Sequence, residues 1–201
     1  MKVVIVGATG LIGQAVAQAV SNCHQIVRVA HSKGDYKVDL ASKDSVQRLF
    51  EAVAPFDAVV CVGGQAKFAP LATLTDEDFQ FSLSNKLMGQ VNLVRVGLSH
   101  ISDNGSFTLT SGVLSHEPVP GSAAISLVNG GVDSFVRAAA LEMTRGIRVN
   151  VVSPPWISET LEAMGQDAST GMPAVKVAAA YVESVESQRN GEVIDAGSFS
   201  S

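Results

Sequence analysis

Residues 2–13 read KVVIVGATGLIG, and the fold of the chain follows from this stretch. Val3, Val4, Ile5 and Val6 are all β-branched and nothing polar alternates with them, the pattern of a strand covered on both faces. Gly7, Gly10 and Gly13 come next, with Thr9 among them. Glycine allows the sharp turn out of a strand, and its missing side chain lets backbone approach backbone or a ligand closely. Residues 11–21 then carry apolar side chains at helical spacing. Strand, glycine turn and helix in this order present free amides and the positive end of a helix dipole to a phosphate. The stretch therefore predicts a dinucleotide phosphate turn made by Gly7, Thr9, Gly10, Leu11, Ile12 and Gly13.

The alternation continues to the end of the chain. Short β-branched runs at 2–7, 25–30, 36–38, 57–62, 105–110, 147–153 and 192–196 are separated by helical patterns at 11–21, 43–53, 75–99, 122–145 and 173–188. Thr75 followed by Asp76, Glu77 and Asp78 marks a helix start, where acidic side chains meet the dipole. This order predicts an α/β fold: a doubly wound Rossmann-type sheet of about seven parallel strands with helices on both faces. Residues 1–201 are expected to form a single NAD(P)-binding domain, with residues 158–173 as a loop or lid.

Composition narrows the partners. With 46% hydrophobic and 16% charged residues the chain is expected to bury a core rather than stay disordered. A formal net charge of −5 argues against nucleic acid or an anionic membrane, both of which require a basic face, and points to a small-molecule substrate. No segment has the uninterrupted apolar length of a membrane span. Cys23 and Cys61 lie in apolar stretches and are read as buried thiols in a reducing, cytoplasmic compartment. No metal site is read from the sequence.

The nucleotide is discriminated at the end of the second strand. A carboxylate there bonds the ribose hydroxyls of NAD, whereas a site for the 2′-phosphate avoids it. The stretch VRVAHSKGD, residues 27–35, instead places His31, Ser32 and Lys33 after Ala30, which favours NADP over NAD. Asp39, in VDL, is a candidate partner for the adenine amino group or, alternatively, a helix-capping residue near Ser42.

Taken together these segments resemble the short-chain dehydrogenase/reductase family over nearly the whole chain. GATGLIG is similar to its phosphate loop, and VDL to its adenine-contacting Asp and the apolar residue after it, here Asp39 and Leu40. DAVVCVGG is similar to the strand ending in Asn-Asn-Ala-Gly, so Cys61, Val62, Gly63 and Gly64 fill those places. NKLMG resembles the helix whose Asn, here Asn85, holds a water in the proton relay, and LTSG the strand end bearing the catalytic serine, here Ser111. VDSFVRAAALE and IRVNVVSPP resemble the segments that come after the active-site helix, with Pro154 beside the cofactor and Pro155 where the family has glycine. NGEVIDAG resembles the closing strand.

The resemblance implies a Tyr-x-x-x-Lys pair at the start of the active-site helix, and this chain has Ile125 and Asn129 there. Isoleucine has no ionisable group; Asn129 can bond a ribose hydroxyl but carries no charge. Another proton carrier is then needed, and His116, in SGVLSHEPVPGS, is chemically suited, although an exposed loop histidine is the plainer reading. The expected function is that of an NADP(H)-binding oxidoreductase acting on a small carbonyl or alcohol with a non-standard acid/base set. The alternatives are a catalytically inactive dinucleotide-binding sensor or scaffold and, third, non-redox chemistry on a nucleotide-like substrate. Apolar residues on more than one face of 75–99 and 122–145 match the family's assembly helices and imply a homodimer or homotetramer.

Overall fold

A computed structural model describes residues 1–199. One sheet runs in the order β3-β2-β1-β4-β5-β6-β7. Its strands are β1 (Lys2–Val6), β2 (Gln25–Ala30), β3 (Tyr36–Lys37), β4 (Phe56–Cys61), β5 (Ile101–Thr110), β6 (Arg148–Ser153) and β7 (Val193–Asp195). Every pairing is parallel. Val3 of β1 pairs with Ile26 on one side and Ala58 on the other. The strand order thus turns around at β1 and β4, and their carboxyl ends open a crevice there, as the doubly wound topology requires.

The helices are α1 (Leu11–Val20), α2 (Lys43–Val53), α3 (Asp76–Ser82), α4 (Gly89–Gly97), α5 (Ala123–Ala139), α6 (Ser158–Ala163) and α7 (Ala174–Glu186). They cover both faces of the sheet. Val4 and Val6 join Phe50, Leu93 and Val132 in one core, while Val3 and Ile5 join Val16, Val177 and Tyr181 in the other. Successive strand side chains point to opposite faces, so β1, buried on both sides, carries apolar side chains on both. Each fully buried Val or Ile contributes roughly 1.5–3 kcal/mol by leaving water.

Several elements differ from the sequence expectation, each for a local reason. The helix expected over 75–99 is interrupted by a π-helical stretch, Leu83–Met88, in which the Gly89 amide reaches back to the Ser84 carbonyl. The helix expected over 122–145 leaves α geometry at Ala139 and passes through a tight 3-10 turn, Ala140–Glu142. Residues 158–173 are not a bare loop: Ile157 bridges Met172, and α6 lies between them with Leu161 buried. Glu159 ties that segment down by accepting the Ala174 amide at 3.1 Å. Of the two cysteines, Cys61 is buried but Cys23 is exposed, because it sits in the turn between α1 and β2 rather than in either element. Among the described residues no helix is long and apolar enough to cross a membrane.

Candidate functional site

The crevice is built on the glycine turn. Gly7 has φ +88°, and a Cβ on it would lie 2.7 Å from the Gly63 amide nitrogen; a Cβ on Gly13 would lie 2.0 Å from the Gly7 carbonyl oxygen. The turn therefore packs backbone on backbone, and only glycine fits at these two places. Gly10 caps α1 with extended geometry and no side-chain bond to the first-turn amides. Those amides are left for a ligand at the helix N-terminus.

From this turn a cleft of about 790 Å³ extends along the strand ends. Gly7, Thr9 and Gly10 form one end, His31, Ser32, Asp39 and Leu40 the outer wall, and Gly63, Gly64 and Asn85 the inner side. Leu11 and Lys33 are exposed outside this wall, and Ile12 turns toward a second pocket. Asp39 does not cap α2. Ser42 does, its hydroxyl accepting the Ser45 amide at 3.2 Å. One Asp39 carboxylate oxygen accepts the Ala41 amide at 3.0 Å, and the side chain stands exposed on the cleft wall.

The second pocket, about 200 Å³, shares Val62 with the cleft. Its apolar walls come from Ile12, Leu114, Ile125, Pro154 and Trp156, and its polar side chains include Lys86, Ser111 and Asn129. Ser111 Oγ and Asn129 Oδ1 are buried without a hydrogen-bond partner, as are Asp133 Oδ1 and Ser153 Oγ. Buried polar atoms are otherwise almost always paired, so free ones facing a pocket mark a surface shaped for a bound group. The end of β5 that carries Ser111 is held by Gln90, which is fully buried. Pairing of β5 with β4 ends at Thr108. Beyond it Gln90 replaces the missing strand: Nε2 donates to the Thr110 carbonyl at 2.8 Å and Oε1 accepts the Thr110 amide at 2.7 Å. The Thr110 hydroxyl donates to the Cys61 carbonyl at 2.6 Å and meets the buried Tyr181 hydroxyl at 2.8 Å, joining β4, β5 and α7 beneath the pocket.

Lys86 is absent from the site residues that the sequence suggests. It is 9% exposed, and its ammonium donates to the Ser111 carbonyl at 3.3 Å. The π-helical stretch aims it there, consistent with the concentration of such bulges at functional sites. Gly64 makes the approach possible, since a Cβ on it would stand 3.2 Å from the Lys86 Cα. Burial pushes the ammonium down to about 8 against the opposing pull of Cys61 and Asp133. Burial also pushes the Cys61 thiol up to about 12, so near neutrality that thiol stands uncharged beside Lys86. A sequence signal exists: Ser82, Lys86, Gln90, Leu93 and Gly97 recur at helical spacing, which puts a lone cation on a buried stripe.

Asn85, the neighbouring residue, points elsewhere. Its Oδ1 accepts the Gln65 amide at 2.7 Å, and Ser82 Oγ accepts the Lys67 amide at 3.0 Å, so both pin the segment after Gly64. Asn85 lines the larger cleft, not the second pocket. His116 is exposed, pairs with Ser115 at 3.2 Å and lies on the wall of neither.

Residues 6–198 match the family described as enoyl-(acyl carrier protein) reductase. The chain belongs to the short-chain dehydrogenase/reductase family of oxidoreductases. It is similar to a short chain dehydrogenase, claC, of Passalora fulva, at 35% identity over 124 residues, covering 59% of this chain and 46% of the relative. It is also similar to a glucose 1-dehydrogenase of Gluconobacter oxydans, at 32% identity over 124 residues, covering 58% and 47%. The chain spans about half the length of the first of these curated relatives. The crystal structure of lin1944 from Listeria innocua superposes with a TM-score of 0.94 at 37% identity, covering 97% of this chain and 98% of that one. A small-chain dehydrogenase crystallised with NADPH shares the fold, with a TM-score of 0.88 at 24% identity over 99% of this chain and 98% of the other.

Proposed function

We propose that the chain is an NADP(H)-dependent oxidoreductase that interconverts a small carbonyl compound and its alcohol. The observation that carries this reading is the junction at Val62, where the cleft of about 790 Å³ meets a small, mostly apolar pocket lined by residues with unpaired polar atoms. The glycine cradle fits a pyrophosphate, because its close backbone contacts leave amides rather than side chains facing the cleft. In this assignment the amides of Thr9, Leu11 and Ile12 hold the pyrophosphate, and Gly7, Gly10 and Gly13 keep the turn closed, the Gly10 amide donating to the Gly7 carbonyl at 3.0 Å. Asp39 and Leu40 hold the adenine, Gly63 and Gly64 floor the ribose, Asn129 bonds the nicotinamide ribose, and Pro154 borders the ring. His31 and Ser32 face the 2′-phosphate, Lys33 adds its positive charge from outside the wall, and no carboxylate stands in these positions after β2 to repel it. When bound, a reduced nicotinamide dinucleotide supplies a hydride to a carbonyl carbon. Ser111 donates its free hydroxyl to the substrate oxygen, Asn85 holds the loop that closes the inner side, and Ile125 and Trp156 keep water from the reacting atoms.

Titration calorimetry with NADPH and NADH tests the cofactor assignment. NADPH should bind at least about 10-fold more tightly, and His31→Asp should reverse the preference by about 10- to 100-fold, since a carboxylate then meets the phosphate. Binding of neither nucleotide ends the proposal. A catalytically silent dinucleotide sensor is the second reading, favoured by Ile125 and Asn129 on the pocket wall. NADPH binding without its oxidation across a broad panel of aldehydes, ketones and quinones selects it.

We also propose a homodimer or homotetramer. Phe81, Met88 and Leu127, on α3, the π-helical stretch and α5, are 38%, 39% and 52% exposed and form the apolar face for it. A monomer in sedimentation velocity at micromolar concentration refutes that assembly.

A further inference from the structure

Resting on the oxidoreductase reading, we propose that Lys86 is the proton donor to the substrate oxygen, in place of the phenol that Ile125 cannot provide. Besides Thr110, whose hydroxyl is taken up by Cys61 and Tyr181, three polar side chains line the second pocket: Lys86 from the π-helical stretch, Ser111 just after β5 and Asn129 from α5. A serine hydroxyl and a carboxamide orient an oxygen by hydrogen bonding, but neither releases a proton near neutral pH. Lys86 does, and it is placed to do so. Its Nζ lies 3.3 Å from the backbone carbonyl of Ser111, whose own Oγ is unpaired, and both residues line the one small pocket that would receive a substrate oxygen bonded to that hydroxyl.

The surroundings suit the task. Cys61 on β4 and Asp133 on α5 are the titratable groups that act on Lys86. Asp133 is 7% exposed with Oδ1 unpaired, and it makes no ion pair within 4.0 Å among the described residues. It therefore holds the charge of the lysine from a distance without locking the ammonium away from the pocket. Burial keeps that ammonium near 8, charged at neutral pH yet ready to lose its proton, which is the condition for an efficient general acid.

The step balances in atoms and electrons. A bound, reduced nicotinamide dinucleotide would supply the hydride that the carbonyl carbon accepts, and would be oxidised in doing so. The π pair of the C=O bond moves onto oxygen. One N–H bond of Lys86 breaks as the O–H bond of the alcohol forms, leaving a neutral amine. A proton from water in the cleft restores the ammonium before the next turnover.

Two measurements test the assignment. The first is a ¹³C or ¹⁵N NMR titration of Lys86 with NADPH bound, identified by its loss in Lys86→Met, which should give a midpoint near 8. The second is NADPH oxidation, whose kcat should fall as pH rises through that midpoint. Lys86→Met should lower kcat by about 10²- to 10⁴-fold with the NADPH Kd held within about threefold, and Lys86→Arg, charged but unable to release a proton, should be as slow. A Lys86 titrating at its ordinary 10.5, full turnover in Lys86→Met, or rescue by arginine overturns this assignment while the oxidoreductase reading survives. Wild-type protein that binds NADPH but oxidises it with no carbonyl overturns both.

Discussion

Gly13→Ala should abolish tight dinucleotide binding and remove about 3 kcal/mol of stability, near the upper end of what overpacking costs. The added carbon would sit 2.0 Å from the Gly7 carbonyl oxygen, 2.8 Å from the Gly7 carbonyl carbon and 2.9 Å from the Ala8 Cα. All three are backbone, so no side-chain rotation relieves the clash, and α1 must lift away from β1. That lift displaces the amides that face the cleft, which is why binding and stability fall together. In thermal denaturation the midpoint should drop by about 6–12 °C for a chain of this size, and the NADPH Kd should rise by about 100-fold. Gly130→Ala is the control. Nothing lies within 4 Å of a Cβ at that helical position, so alanine there should add about 0.5–1 kcal/mol. If Gly13→Ala melts with the wild type and binds NADPH equally well, the glycine turn is not packed as described.

Between pH 8 and 10.5 the wild type should gain on the order of 3 kcal/mol of stability relative to Lys86→Met. Burial lowers the folded-state pKa of Lys86 to about 8, below the 10.5 it has in the open chain. Below pH 8 both states are protonated, and the cost of burying the ammonium is carried in full. Above pH 8 the folded state releases its proton while the unfolded state keeps it. The unfolded state then binds more protons, so stability rises with pH until both states are neutral above 10.5. Methionine has no proton to release, so the variant lacks this rise. Urea unfolding of both proteins from pH 7 to 10.5 reads the difference directly. A constant difference across that range would mean that Lys86 titrates as a solvated lysine.

The site is legible in the sequence in proportion to how local its causes are. Gly7, Gly10 and Gly13 announce themselves because a strand-to-helix turn imposes its requirements within a few residues. His31 and Ser32 can be placed on the cleft wall because they come directly after a strand end. Asn85 and Lys86 show where local reading stops. The motif NKLMG points to Asn85 as the residue beside the chemistry, yet Asn85 binds the Gln65 amide and its neighbour enters the second pocket. The motif fixes attention on Asn85, whereas the buried stripe of Ser82, Lys86, Gln90, Leu93 and Gly97 carries its neighbour inward, a pattern that spans more residues than the motif. His116 shows the same limit: the strand order puts its loop over the crevice, but the side chain faces solvent.

What the amino-acid order decided alone is the parallel sheet and the glycine turn after its first strand. Both arise from short-range rules: β-branched residues prefer extended backbone buried on two faces, and glycine alone tolerates the turn between strand and helix. The tertiary structure alone decided the contents of the second pocket. Lys86, Ser111 and Asn129 are brought together from three places in the chain by the Gly64 approach and the Gln90 clamp on β5. How far the Lys86 ammonium is desolvated depends on every atom packed around it, which is a property of the assembled core and of no segment by itself.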